Sequence, residues 1–278
     1  MVDFNYEDML IIDEDNWRDH SGDGEGDNRI ILIDGEKKSF GCRPRASKPG
    51  TLPYAAKPTF DLIPRVEWPS RIKDLEDAQA DLHARSVLAG IKVKDQNGTN
   101  YCHANSPALA LEIIRMMQGE VYIPLSPGSI GGPITNFRNE GAMIEDDLNQ
   151  IVQFGAAPET FVPPNATSKK LWLPGAEQEA LKYRAEIFWD MMSRDSKMFD
   201  RCATCLLNNQ PVCVGYNWWG HAVTLIKLVM IGGTNKFGFL FRNSWGSSYG
   251  DDGYAVLAEG KGTPDDAYAL RKALAVAA

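Results

Sequence analysis

The chain has 278 residues, 44% of them apolar and 24% charged, with a net charge of −8. That suits a globular protein able to bury one large core or two lobes sharing it. The charge is uneven: residues 1–30 carry ten acidic and two basic side chains, which leaves 27 of each sign in residues 31–278, so the neutral body offers nothing to a nucleic acid or an anionic membrane. No run approaches the ~18 consecutive apolar residues of a membrane span, and five cysteines, an odd number, do not make a disulfide framework.

The first residues, Met1 to Asp8, are acidic where a signal peptide has a basic and then an apolar region, so a cytoplasmic or other reducing, non-secreted setting is expected. Asp19 to Asp27 places oxygen-bearing residues and a Gly as a calcium loop would, but Ile30 stands where the loop needs a bidentate Glu. A solvated loop is expected there. Arg29 to Phe40 reads as a β-hairpin turning at Asp34-Gly35. Cys42 to Thr59, rich in Pro, Lys, Arg and Ser, reads as an extended linker. A boundary near residue 58 thus divides an acidic N-terminal extension, 1–58, from a main domain, 59–278.

Asp74 to Gly90 has helical composition, and Ala108 to Met117 carries apolar residues at helical spacing. Residues 176–208 read as helical, with Ile187, Phe188, Met191 and Met192 on one repeating face. Cys202 and Cys205 form a CxxC with no second pair and no nearby His, so buried thiols are expected there rather than zinc. From Gln210 onward apolar, β-branched runs take over: Pro211–Tyr216, Ala222–Ile231, Phe237–Arg242 and Gly253–Ala258. Helices followed by an antiparallel sheet give an α+β fold.

Three separated stretches carry the chemistry. Gln96 lies six residues before Cys102; His221 stands in Gly-His-Ala-Val; Asn243 opens Asn-Ser-Trp-Gly, which runs on through Tyr249-Gly250 to Gly253-Tyr254. A thiol of ordinary pKa about 8.5 is a weak nucleophile at neutral pH unless a cation or helix N-terminus stabilises its thiolate, and Cys102 precedes a helix. Each residue alone has a structural reading, as a core thiol, a satisfied histidine or a turn asparagine.

Together, in this order, they resemble the papain-like cysteine peptidases over roughly residues 60–275. Phe60 to Trp68 resembles the opening of that family's mature domain, and Val93-Lys94-Asp95-Gln96 its Val-Lys-Asn-Gln run. The resemblance implies two lobes: a helical left lobe with a long central helix and a right lobe made of an antiparallel sheet or barrel. It implies Cys102 as nucleophile, His221 as its base, Asn243 orienting the imidazole, Trp245 shielding that contact and Gln96 donating to the oxyanion. Gly141 matches the glycine that pairs with substrate, with Ala142 and Met143 beginning the pocket lining. Trp218 and Trp219 replace a longer loop beside the cleft.

No cofactor or metal is implied. The expected partner is a peptide or protein substrate, and the N-terminal extension is expected to dock on the cleft or on a partner protein. Departures from the family pattern are Thr99 where secreted members have a disulfide cysteine, Asn100-Tyr101 for Gly-Ser, His103 for Trp, and Pro107, which starts the central helix at Ser106 or kinks it. Two other functions remain open on this pattern: a catalytically weak module of a larger assembly, and an amidase or acyltransferase using the same thiol.

Overall fold

The computed structural model describes residues 9–193, 195–232 and 236–274; residues 1–8, the segment tested above for a leader, lie outside them. An eight-stranded mixed sheet runs in the order β1 (Ile11–Ile12), β9 (Tyr254–Ala258), β8 (Lys236–Arg242), β7 (His221–Ile231), β6 (Val212–Tyr216), β10 (Asp266–Leu270), β5 (Phe188–Asp190), β4 (Ala55–Ala56). Its centre is antiparallel, but both edge pairings, β1 with β9 and β4 with β5, are parallel. Among the described residues the sheet is open, so the barrel alternative is corrected to an open sheet. Strands β2 (Ile30–Ile33) and β3 (Glu36–Ser39) form the hairpin apart from it, turning on positive φ at Asp34 and Gly35.

Both parallel edges come from residues before position 58. The N-terminal segment is therefore stitched into the same sheet as the rest of the chain, and Met9, Ile12 and Phe40 join its largest core. The cause is local: Ile11-Ile12 and Ala55-Ala56 are short apolar pairs that satisfy the otherwise unpaired backbone groups of β9 and β5.

The helices are α1 (Trp68–Asp77), α2 (Leu82–Leu88), α3 (Cys102–Met117), α4 (Pro127–Ile134), α5 (Ile144–Gln153), α6 (Ala176–Ala180), α7 (Met198–Leu207) and α8 (Glu259–Gly262). The central helix begins at Cys102 and runs through Pro107, not from Ser106. It is buried on nearly every side, as its Ala- and Leu-rich sequence allows. One side, with Leu109 and Ile113, packs on the sheet core; the other, with Leu111 and Ile114, joins α5 in the left-lobe core. Its Glu112, wholly buried, is matched by Lys94, whose Nζ lies 2.8 Å away. Strand β7 carries nine buried residues in a row, and its Lys227 is paired with Glu76 at 3.0 Å and Asp81 at 3.2 Å, beside a register shift opposite β8.

One expected helix is corrected. Residues 188–190 are strand, not the continuation of a helix from 177: Phe188 and Asp190 face inward with Trp189 between them, and Phe188 pairs with Leu270. The apolar spacing fits either period over so short a run, and the free edge of β10 decides it. Cys202 and Cys205 lie on α7 as buried free thiols.

Candidate active site

Cys102 is the first residue of α3 and His221 the first of β7, two elements packed directly on each other. Asn243 follows β8 at once. His221 Nε2 lies 2.7 Å from Asn243 Oδ1, and the same oxygen accepts from the Ser244 N–H at 2.8 Å. An oxygen that accepts twice fixes the proton of His221 on Nε2. Nδ1 is then a bare lone pair, buried, with no hydrogen-bond partner among the described residues. The Trp245 ring stacks on the imidazole at 4.3 Å and 29°, and Trp219 meets it edge-on at 4.9 Å.

The nine positions singled out from the sequence do not all face one groove. The backbone amides of Ala222, His103 and Gly41 lie close enough to the Cys102 sulfur to favour its thiolate, which places it beside the residue that follows His221. The His103 side chain turns away into the left lobe, where Nδ1 sits 2.7 Å from Asp147 Oδ2 with both side chains wholly buried. Gln96 Nε2 donates to the carbonyls of Ser39 at 2.8 Å and Thr99 at 2.6 Å, and its Oε1 accepts from Ser244 Oγ at 2.6 Å. Gly141, Ala142 and Met143 lead into α5.

What occupies the groove is the chain itself. Residues 39–45, a strap running on from β3, cross directly over Cys102 and His221. The Ser39 carbonyl accepts from Gln96 Nε2 and, at 3.3 Å, from Trp245 Nε1. The Phe40 ring packs edge-on against His221 at 5.6 Å and Trp245 at 5.2 Å. Gly41 and Cys42 donate to Gly220 O at 3.2 and 3.0 Å. Ala142 then pairs with the strap as a neighbouring parallel strand would: its N–H donates to Gly41 O at 3.0 Å and its carbonyl accepts from Arg43 N at 3.0 Å.

Only glycine fits at two of these positions. A Cβ on Gly41 would lie 1.9 Å from Asn100 O, and one on Gly141 would lie 2.3 Å from Gly41 O. Asn100, one of the departures from the family pattern, has a use in this arrangement. Its Nδ2 donates to Asp27 O at 2.7 Å, tying the N-terminal segment to the loop that carries Cys102. Trp219 does the same on the other wall, donating from Nε1 to His20 O at 2.7 Å.

Covering the groove removes water from both titrating groups. Burial pushes the Cys102 thiol up to about 12, only partly offset by the three backbone N–H groups. Burial lowers His221 to about 3 against the opposing bond to Asn243. With the strap in place the pair is therefore neutral thiol and neutral imidazole. Residues 39–45 were not singled out from the sequence as part of a site; their signal is the Pro- and Arg-containing composition from Cys42 onward, which reads as extended chain, since only extended chain can lie along a groove and pair with it.

The same assembly of helices, sheet and intervening cleft is found in solved structures. Xylellain, a cysteine protease from Xylella fastidiosa, superposes with a TM-score of 0.58 at 19% identity, over 84% of this chain and 96% of that one. The chain has the papain-like fold. Two further structures of this fold agree with it. ProCathepsin B S9 from Trypanosoma congolense gives a TM-score of 0.56 at 15% identity, over 83% of this chain and 85% of that one. The bromelain protease from Ananas comosus, in complex with the E64 inhibitor, gives 0.55 at 18% identity, over 69% and 97%. No family model matches the sequence, and no curated protein matches it. The papain-like fold thus emerges here from three-dimensional similarity at identities below 20%.

Proposed function

We propose that the chain is a papain-type cysteine peptidase held latent by its own residues 39–45. The observation that carries this reading is that the groove over Cys102 and His221 already binds a peptide through its main chain, with Ala142 bonded on both sides of the strap residue Cys42. A surface that pairs with one extended backbone, whatever its side chains, suits peptide substrates.

In this reading the strap is a poor substrate because of what it offers the thiol. The backbone amide of Gly41 lies beside the sulfur, while the carbonyl held by Gln96 belongs to Ser39. When the strap leaves, water returns, and the burial that separates the two pKa values is relieved. The Cys102 proton then passes to the bare Nδ1 of His221, assisted by the dipole of α3, whose first residue is Cys102. The thiolate attacks the substrate carbonyl carbon; Gln96 Nε2, freed from Ser39, and the Cys102 backbone N–H donate to the oxyanion. His221 returns its proton to the leaving amine as the C–N bond breaks, and water hydrolyses the thioester. Asn243 holds the ring throughout.

Gly41→Ala in the full chain tests this, because its Cβ cannot coexist with the Asn100 carbonyl. The variant is expected to hydrolyse denatured protein or peptide substrates well above wild type, and Cys102→Ala in the same background to hydrolyse none. Equal inactivity of both, with the strap shown to be displaced by its protease sensitivity, would instead favour a module without catalysis. Turnover of simple amides in preference to peptides would favour the amidase.

A further inference from the structure

Past the thiol, the strap enters a second and deeper site. The Arg45 side chain is 6% exposed and forks onto Asp190, Nη1 to Oδ1 at 2.6 Å and Nη2 to Oδ2 at 2.8 Å. Its Nε lies 3.6 Å from Glu145 Oε2, and its guanidinium carbon lies 5.5 Å from the centroid of the Tyr268 ring. Tyr268 in turn donates to Glu145 Oε2 at 3.2 Å. Asp266, 3% exposed, faces the same space: it feels Arg45, Glu145 and Asp190 electrostatically, and its Oδ2 has no hydrogen-bond partner among the described residues. Cys42 Sγ sits near this wall as well, 3.0 Å from where a Cβ on Gly215 would be.

Two features go beyond an anchor for the strap. Two buried carboxylates, Glu145 and Asp190, and the buried carboxyl of Asp266 face one guanidinium, whereas a structural pair needs one acid and one base. The walls also belong to rigid elements that do not depend on the strap: Glu145 to the first turn of α5, Asp190 to β5, and Asp266 and Tyr268 to β10. If the strap leaves, Arg45 leaves with it and the acids on these walls lose their cation.

We propose that the acidic pocket of Glu145, Asp190 and Asp266 beside Tyr268 reads a basic side chain of the peptide substrate, arginine above all, and that Arg45 is its built-in occupant. This rests on the peptidase reading for its substrate, but the pocket's chemistry can be tested without turnover. The fork geometry and aromatic face favour guanidinium over ammonium, which cannot bond both Asp190 oxygens in one plane.

The probe is Nα-acetyl-arginine amide, compared with Nα-acetyl-citrulline amide, which has the same shape but no charge. In full-chain Arg45→Ala the arginine amide is expected to bind saturably, at least tenfold tighter than the citrulline amide, and to raise Tm; neither compound should move wild type, and Arg45→Ala/Asp190→Asn should lose the difference. If Arg45→Ala does not fold alone, refolding rescued by the arginine amide and not by the citrulline amide is the same positive result. Equal effects of the two amides, or no effect of either, overturn the proposal.

The Gly41→Ala chain then supplies the substrate arm. Peptides with arginine at one subsite are expected to be cleaved with at least tenfold higher kcat/KM than citrulline peptides, falling towards parity in Gly41→Ala/Asp190→Asn. Cleavage with no such preference overturns the pocket while leaving the peptidase intact. Selective binding of the arginine amide without any cleavage supports the pocket and overturns the peptidase reading instead.

Discussion

At the scale of single residues, the proposed activation turns on the protonation of two side chains. His221 keeps its proton on Nε2 because Asn243 Oδ1 also accepts from Ser244, so its free nitrogen is the one a thiol proton could reach. Removing the carboxamide frees the ring to rotate and to change tautomer. In a Gly41→Ala background, Asn243→Ala is expected to lower kcat/KM by about 10²–10⁴-fold, the range for losing a positioned general base. Gln96→Ala is expected to lower kcat by about 10²–10³-fold as an oxyanion donor. Steady-state kinetics on one peptide checks both, and an effect on KM alone would assign these residues to binding instead.

At the scale of elements, the strap is packed into the core that it covers. Phe40 fills the space over the His221 and Trp245 rings and is 1% exposed, so Phe40→Ala is expected to cost about 3–5 kcal/mol of stability, read by denaturant unfolding, while also loosening the strap. A loss near zero would mean the strap is not packed on the core.

How much of this was legible in sequence differs from element to element. The runs of β6, β7, β8 and β9 were visible because buried strands are nearly unbroken in apolar residues, and α3 because it is long. Strand β5 was hidden: three residues carry no period, and only the edge of β10 makes them a strand. The spacing of Gln96, Cys102, His221 and Asn243 marked the groove, but not what lies in it. A strap is defined by its partners, such as Ala142 and Gly220, and these are far away in the chain. Likewise Asp190 and Asp266 are ordinary acids until folding brings them to Arg45.

At the scale of the whole molecule, the N-terminal segment closes the structure as well as the cleft. Deleting residues 1–58 strips β1 and β4 from the sheet edges and Ile12 and Phe40 from the core. The shortened chain is expected to be insoluble or unfolded by circular dichroism, not active; full activity with native Tm would contradict this. Three buried groups also set how stability varies with pH. His221, lowered to about 3, stays neutral when folded but binds a proton when unfolded, so between about 3 and 6.5 it makes stability rise with pH. His83, lowered to about 4 by burial, acts with the same sign. Asp266, raised to about 7 by burial and then by Asp265, keeps its proton only when folded, so from about 4 to 7 it makes stability fall as pH rises. Asp266→Asn is therefore expected to steepen the rise of stability between pH 4 and 6.5 by about 1.4 kcal/mol per unit. Unfolding midpoints measured across that range check the sign.

The most direct measurement is site-resolved alkylation by a thiol-directed epoxide, with the label on each of the five cysteines read by mass spectrometry in full-length wild type, Gly41→Ala and Gly41→Ala/His221→Ala. The expected result is little label on Cys102 in wild type, rapid labelling of Cys102 over the other four in Gly41→Ala at neutral pH, and loss of that selectivity without His221. Equal labelling of all five cysteines in Gly41→Ala, or Cys102 labelling indifferent to His221, would contradict a thiol activated by this imidazole once the strap has left.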